Sequence, residues 1–220
     1  MTPAEKGAAL ARRRAAKGAH LAPFRALAMP ADRKAAHDEA RDRAQQLRQA
    51  LKSGVQVVSA PQLFPTPPDL AARMVEEADI QPGMRVMEPS AGTGRLLDAI
   101  AQDGAAGEVV AVEISPALAG RLDATSRAVV CGDFLRCTPE TIGLFDRIVM
   151  NPPFGGAQDI QHIRHALLFL KPGGRLVALC AAGPRQRAAF EHLGYWEILP
   201  PNTFVSEGTG VNAALLVAGN

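Results

Sequence analysis

What this 220-residue chain has little of narrows its chemistry first. It has three cysteines (Cys131, Cys137 and Cys180), with no Cys-x-x-Cys pair and no histidine partner at ligand spacing. Neither a disulfide framework nor a metal site is therefore expected, and the thiols read as reduced and mostly buried. No apolar run is long enough to span a bilayer, and no charged-then-apolar leader opens the chain. The expected localisation is cytoplasmic, with no membrane partner. Aromatic residues make up only 5%, against 47% hydrophobic residues overall. Alanine is abundant, a bias that says little about function. The apolar share is still ample for one good-sized domain with an appendage.

The net formal charge of +2 is unevenly spread. Residues 1–58 carry twelve Lys/Arg against five Asp/Glu, a balance of +7, and the remainder is at −5. Thr2-Pro3-Ala4-Glu5 has the form of a helix cap, and an alanine-rich stretch bearing Arg12, Arg13, Arg14 and Lys17 follows it. A second helical pattern, Ala31 to Lys52, has a stripe made mostly of alanine, too thin for independent stability. Residues 1–58 are thus expected to be a basic Ala/Arg-rich helical extension, and residues 59–220 the functional domain. A basic arm on a mildly acidic body suits a polyanion such as nucleic acid, with Arg12, Arg13, Arg14 and Lys17 as candidate contacts. A solvated helical face has the same composition.

From Met84 onward, apolar runs alternate with amphipathic patterns. Strands are expected at Arg85–Glu88, Val109–Glu113, Ala128–Val130, Arg147–Met150, Arg175–Cys180, Trp196–Leu199 and Ala213–Ala218. Helices are expected at Arg95–Gln102, Pro116–Ala124, Ile160–Leu170 and Pro184–His192. This is an α/β pattern, a doubly wound and mostly parallel seven-stranded sheet. Nothing helical separates the last two strands, so they should close the sheet as an antiparallel hairpin. Ligands in such sheets bind beyond the carboxyl ends of the strands, at the switch in strand order.

The distinctive residues all sit at such ends. Ile148-Val149-Met150 stops abruptly at Asn151-Pro152-Pro153-Phe154, because two prolines cannot feed a strand ladder. The Asn151 side-chain carbonyl and the Pro152 carbonyl are two acceptors suited to the two protons of an –NH2 group. Phe154 offers a flat face to a planar ring, so the turn suits methyl transfer to a conjugated amine. The first strand runs into Glu88-Pro89-Ser90-Ala91-Gly92-Thr93-Gly94. Gly92 and Gly94 allow close approach of a ligand, and the following helix is expected to offer free amides. The third glycine of a dinucleotide loop is absent, since Arg95 follows Gly94. Glu88 at the loop's entrance would repel a pyrophosphate and suit an ammonium or sulfonium. Glu113 ends the second strand, placed to take two ribose hydroxyls. Asp133 follows the third strand, placed to accept from an adenine amine, with Ile114 and Phe134 flanking the ring. Before the first helix, Phe64 and Thr66 are expected to form a ligand-contacting lid. Thr66 is also read there as the N-cap, with Asp69 completing the box.

With these pieces in order, residues from about Pro61 onward resemble the class I S-adenosylmethionine-dependent methyltransferases. Within them the amino-methylating branch, best known from adenine-N6 DNA methyltransferases, is the most similar. The resemblance implies S-adenosyl-L-methionine as cofactor, with the methionine part in the Glu88–Gly94 loop, ribose on Glu113 and adenine at Asp133. It implies a target amine at Asn151, Pro152, Pro153 and Phe154, and a cofactor lid at Phe64-Pro65-Thr66-Pro67. DNA adenine, methylated with little sequence specificity, is the substrate this branch suggests. Two features leave the polymer open. No stretch is long enough for a target-recognition domain, and the Asn-Pro-Pro-aromatic motif is shared with enzymes of RNA guanine amines and protein glutamine amides. A non-catalytic nucleic-acid-binding module on the same fold is the reading of another class. The segment from Pro200 to Gly210, with Asn202, Ser206 and Glu207, is either a substrate contact or a plain hairpin connection.

Overall fold

The computed structural model describes residues 64–123 and 128–219. The helical extension expected over 1–58, its boundary and the cationic residues Arg12, Arg13, Arg14 and Lys17 lie outside them. Helices and strands are numbered here in chain order. They are α1 (Pro68–Ala78), β1 (Arg85–Glu88), α2 (Arg95–Asp103), β2 (Glu108–Glu113), α3 (Pro116–Asp123), β3 (Ala128–Cys131) and α4 (Pro139–Ile142). There follow β4 (Phe145–Met150), α5 (Gln158–Leu167), β5 (Leu170–Ala181), α6 (Pro184–Phe190), β6 (Gly194–Ile198) and β7 (Ala213–Gly219). The strands form one seven-stranded sheet in the order β3-β2-β1-β4-β5-β7-β6. The five from β3 to β5 are parallel, and β7 runs antiparallel to both β5 and β6. The mostly parallel sheet with its antiparallel end is the architecture expected from the alternation of patterns.

Burial on both faces explains why the strands read as unbroken apolar runs. On one face Met87, Ile148, Met150, Leu176 and Ala178 pack with Ile163 and Ala166 of α5 and with Phe169 and Phe190. On the other Val86, Val149, Val177, Leu179 and Leu215 pack with Leu70, Met74 and Val75 of α1 and Leu96 and Ile100 of α2. Each strand thus sends alternate side chains to opposite layers, as a period of two requires.

Two arginines fix α1 to this sheet. Arg147 of β4 donates to the carbonyls of Ala78 and Asp79, and Arg175 of β5 donates to the carbonyl of Glu77 at 3.0 Å. Both cations therefore sit at the carboxyl end of α1, where the helix leaves carbonyls unpaired and the dipole favours positive charge. Burial, and then the neighbouring Arg175, hold the Arg147 guanidinium below its usual range. At the other end of α1, the entering segment is tied to the turn after β4, where Asn151 Nδ2 donates to the Phe64 carbonyl.

Some elements differ from expectation. Helix α5 begins at Gln158, two residues early, after Gly156 and Ala157 turn the chain at φ 62° and 61°. Strand β5 begins at Leu170 rather than Arg175. Pro172 and Gly173 (φ 74°) lie within it as an irregularity, and the pairing with β4 shifts between Phe145 and Arg147. The short helix α4 was not anticipated. Thr66 is not the N-cap of α1: that position is Pro67, which has no side chain to cap with. The cysteines are less buried than expected, since only Cys180 is buried and Cys131 is exposed.

The edge strand β6 supplies a stability prediction. A Cβ added at Gly194 would lie 2.2 Å from the Val217 carbonyl oxygen of β7. Backbone atoms cannot yield as a side chain can, so Gly194→Ala must pry β6 from β7. A loss of about 2–3 kcal/mol is expected, the overpacking range, read as a lowered urea midpoint with an unchanged slope.

Candidate active site

The strand order reverses direction between β1 and β4, which are neighbours in the sheet. The register sets Met87 beside Ile148, so Glu88 and the Asn151 turn leave the sheet side by side. A cavity of about 1040 Å³ opens there. Phe64, Thr66, Glu88, Pro89, Ser90, Ala91, Gly92, Glu113, Ile114, Asp133, Phe134, Asn151, Pro152, Pro153 and Phe154 all line it. Of the expected site residues among those described, Gly94 alone does not. It instead supplies the φ of 88° at the N-cap of α2.

The Asn151 side chain is held at its amide nitrogen by two acceptors. Its Nδ2 donates to the Phe64 carbonyl and to Thr66 Oγ1, each at 3.1 Å. The Phe64 carbonyl can only accept, so it demands the nitrogen on that side and settles the amide's orientation. With both amide protons engaged, Oδ1 is the remaining polar atom of the side chain, and it is an acceptor. Thr66, only 2% exposed, has thus become a second support for the amide rather than a helix cap.

The three acids differ in how they are held. Glu113 Oε2 accepts from the Gly92 amide and Oε1 from the Ser115 amide, both at 2.7 Å. One acceptor direction on each oxygen is thereby used, and the carboxylate is locked while the second direction of each stays available. Glu88 is 2% exposed at the end of β1. Asp133 Oδ1 accepts from the Leu135 amide at 2.9 Å and so caps a short 3-10 turn. Phe134 is almost fully buried, its ring 4.8 Å from His165 and 5.4 Å from Phe169. Ile114 is the opposite case at 69% exposed.

The glycine loop offers fewer free amides than its sequence suggests. The Gly92 amide is taken by Glu113, that of Ala91 by the Val112 carbonyl and that of Gly94 by the Ala91 carbonyl. This loop is a braced turn with acids around it, unlike a cradle for a diphosphate. Nearby thiols are poor nucleophiles. Partial desolvation, felt even by the surface-exposed Cys131, and then Glu113 for Cys131 and Asp133 for Cys137, push both pKa values up.

Sequence reasoning missed contributors from two segments. Gln158, Gln161 and His162 line the cavity from α5, and their i, i+3, i+4 spacing was the available signal for one shared face. Phe204 and Val211, from the segment joining β6 to β7, also line it, and Phe204 is fully buried. Asn202, Ser206 and Glu207 of that segment are not among the lining residues.

No protein-family model matches the chain. A tRNA (guanine(6)-N2)-methyltransferase from Thermus thermophilus is 34% identical over 136 residues, covering 51% of this chain and 38% of that protein. The chain therefore spans well under half the length of this relative. The crystal structure of TrmN from Thermus thermophilus aligns with a TM-score of 0.54 at 24% identity, over 70% of this chain and 49% of that one. A protein described as the modification subunit of a proposed type I restriction enzyme from Vibrio vulnificus aligns at 0.59 and 17% identity. That match covers 88% of this chain and 51% of the other. No helix among the described residues is long and apolar enough to cross a membrane. The chain has the Rossmann-like fold of the class I S-adenosylmethionine-dependent methyltransferases.

Proposed function

We propose that the chain transfers a methyl group from S-adenosyl-L-methionine to the exocyclic amine of a base in RNA. The observation that carries this reading is the Asn151 amide, held by Phe64 and Thr66 so that an acceptor is what it has left to offer. An acceptor at that point, together with the Pro152 carbonyl, suits the two protons of a conjugated –NH2 group. It leaves the nitrogen lone pair directed at the cofactor, and the half-buried Phe154 beside it is a stacking face.

The cavity fits the cofactor by its chemistry. Three carboxylates line it, suited to an ammonium, a sulfonium and a ribose diol, and one arginine, Arg95, suits a carboxylate. Glu113 would hold the ribose, Asp133 and Ile114 the adenine, and the loop from Glu88 to Gly94 the methionine part. Bound there, the cofactor supplies an already electrophilic methyl group. The protein's work is alignment of the amine and stabilisation of the positive charge that develops on nitrogen, by acceptors placed in advance.

RNA is placed ahead of DNA because the 34% identical relative is by name a tRNA guanine methyltransferase. The structural likenesses include enzymes of both kinds at identities that speak only for the fold. A DNA adenine is the second reading, supported by the Asn-Pro-Pro-Phe motif. The basic residues Arg12, Arg13, Arg14 and Lys17 would supply phosphate contacts in either case.

The experiment is transfer of labelled methyl from S-adenosylmethionine to a panel of structured RNA, duplex DNA, single-stranded DNA and total protein. Label is expected in RNA and at least tenfold less in each other polymer. Label confined to DNA would reinstate the adenine reading, and label in protein would move the same amine chemistry to a glutamine amide.

A further inference from the structure

His162 lies in the second turn of α5, the helix that follows the Asn-Pro-Pro-Phe turn, and it lines the same cavity. Its Nδ1 is 3.4 Å from Ser90 Oγ in the glycine loop. Its ring centroid is 5.9 Å from that of Phe134, in the turn after β3. One imidazole thus joins the segments that leave β1, β3 and β4, the same segments that the proposed function assigns to the cofactor's methionine, its adenine and the target amine.

The charges around this ring come from each element packed on it. Asp133 faces it from the turn after β3, and Asp159 and His165 lie on its own helix. Glu88 and Glu113 line the cavity from the ends of β1 and β2, Arg95 lines it from the start of α2, and Ser90 brings no charge. Burial lowers the basicity of His162 below that of an ordinary imidazole, and His165 acts in the same direction, against Asp133 and Asp159. The neutral form is therefore favoured, and protonation is moved toward more acidic conditions.

We propose that His162 is a positioning residue for the cofactor that also discriminates by charge. Neutral, it braces the cofactor loop through Ser90 beside a positively charged sulfur. Protonated, it favours the uncharged thioether left after transfer. The inference rests on the assignment of S-adenosylmethionine to this cavity. The physical basis is that S-adenosylmethionine and S-adenosylhomocysteine differ only by a methyl group and the positive charge on sulfur. A further cation in the same cavity opposes the first ligand and leaves the second nearly unaffected, by a factor of about five for charges about 8 Å apart at an effective dielectric of about 40.

The test is calorimetric titration of the full-length chain with each ligand at pH 8.0 and pH 5.0. The quantity read is the ratio of the S-adenosylmethionine Kd to the S-adenosylhomocysteine Kd. In the wild type this ratio is expected to rise on acidification, by up to about fivefold. In His162→Gln, which keeps a hydrogen-bonding group beside Ser90 but cannot titrate, it should stay within about 1.5-fold. Titration of the cavity's carboxylates is common to both proteins, so the difference between them isolates the imidazole. A ratio that ignores pH in the wild type, or one that rises equally in the variant, overturns the proposal. Failure of both ligands to bind at pH 8.0 would instead overturn the cofactor assignment on which it stands.

Discussion

Asn151→Ala is expected to lower methyl transfer by about a thousandfold, while weakening S-adenosylmethionine binding by about tenfold at most. The chemical loss follows from the site's arrangement. Under the proposed function, removing the amide takes away Oδ1, the acceptor assigned to the target nitrogen where positive charge develops, and water is a mobile substitute. Preorganised groups of this kind are worth about two to three orders of magnitude each, and here the loss of orientation adds to the loss of charge stabilisation. The smaller effect on binding arises because the Phe64 carbonyl and Thr66 hydroxyl lose their shared donor, so the lid segment is less firmly held. Thr66→Val separates the two contributions. It keeps the amide but removes one of its two supports, so a loss of about tenfold in rate is expected. Single-turnover kinetics at saturating cofactor, combined with calorimetric Kd values, measures both. Equal losses in rate for the two variants would mean that the amide serves only to hold the lid.

The second large effect is expected at Glu113. Glu113→Gln changes one oxygen for an NH2 group, yet both oxygens now accept from backbone amides, those of Gly92 and Ser115. Whichever way the new side chain turns, an NH2 must face a backbone N–H. One buried donor is left unpaired beside another, at a cost of about 2–3 kcal/mol. For a domain of this size that lowers Tm by about 5–10 °C. If Glu113 holds the ribose as proposed, the same substitution removes the charge and one of two acceptors, so cofactor affinity should fall by about a hundredfold. A scanning melt with and without S-adenosylmethionine tests both parts. The variant should melt early, and ligand should stabilise it far less than the wild type. A normal Tm with weakened binding would mean that the loop does not depend on this carboxylate.

How much of this was legible in the sequence follows from the range of each interaction. The strand ends were readable because they are local events, an apolar run followed by Pro or Gly. The cavity-lining acids Glu88, Glu113 and Asp133 sit at or just beyond those ends. The antiparallel end of the sheet was readable from the missing helix between β6 and β7. The role of Thr66 was only half visible. Thr-Pro-Pro-Asp has the composition of a helix start, and only a contact with Asn151, 85 positions away, shows what the hydroxyl does. His162 and the two glutamines of α5 were hidden for a related reason. Polar residues at helical spacing describe a solvated face equally well, and what they meet depends on β1 and β3. The irregular start of β5 was missed because Pro172-Gly173-Gly174 has the local signature of a turn. The pairing of Leu170 with Phe145 nevertheless extends the strand beyond it.

The central claim is that an exocyclic amine receives the methyl group. Its most direct test is the position of that group in methylated RNA. RNA modified by the wild-type chain would be digested to nucleosides and resolved by mass spectrometry against standards. N2-methylguanosine is the expected product, with N6-methyladenosine equally consistent with the geometry at Asn151, and either should vanish with Asn151→Ala. A methyl group on a ring nitrogen, a carbon or a ribose hydroxyl would contradict the account, because none of these presents two protons for Asn151 and Pro152 to hold.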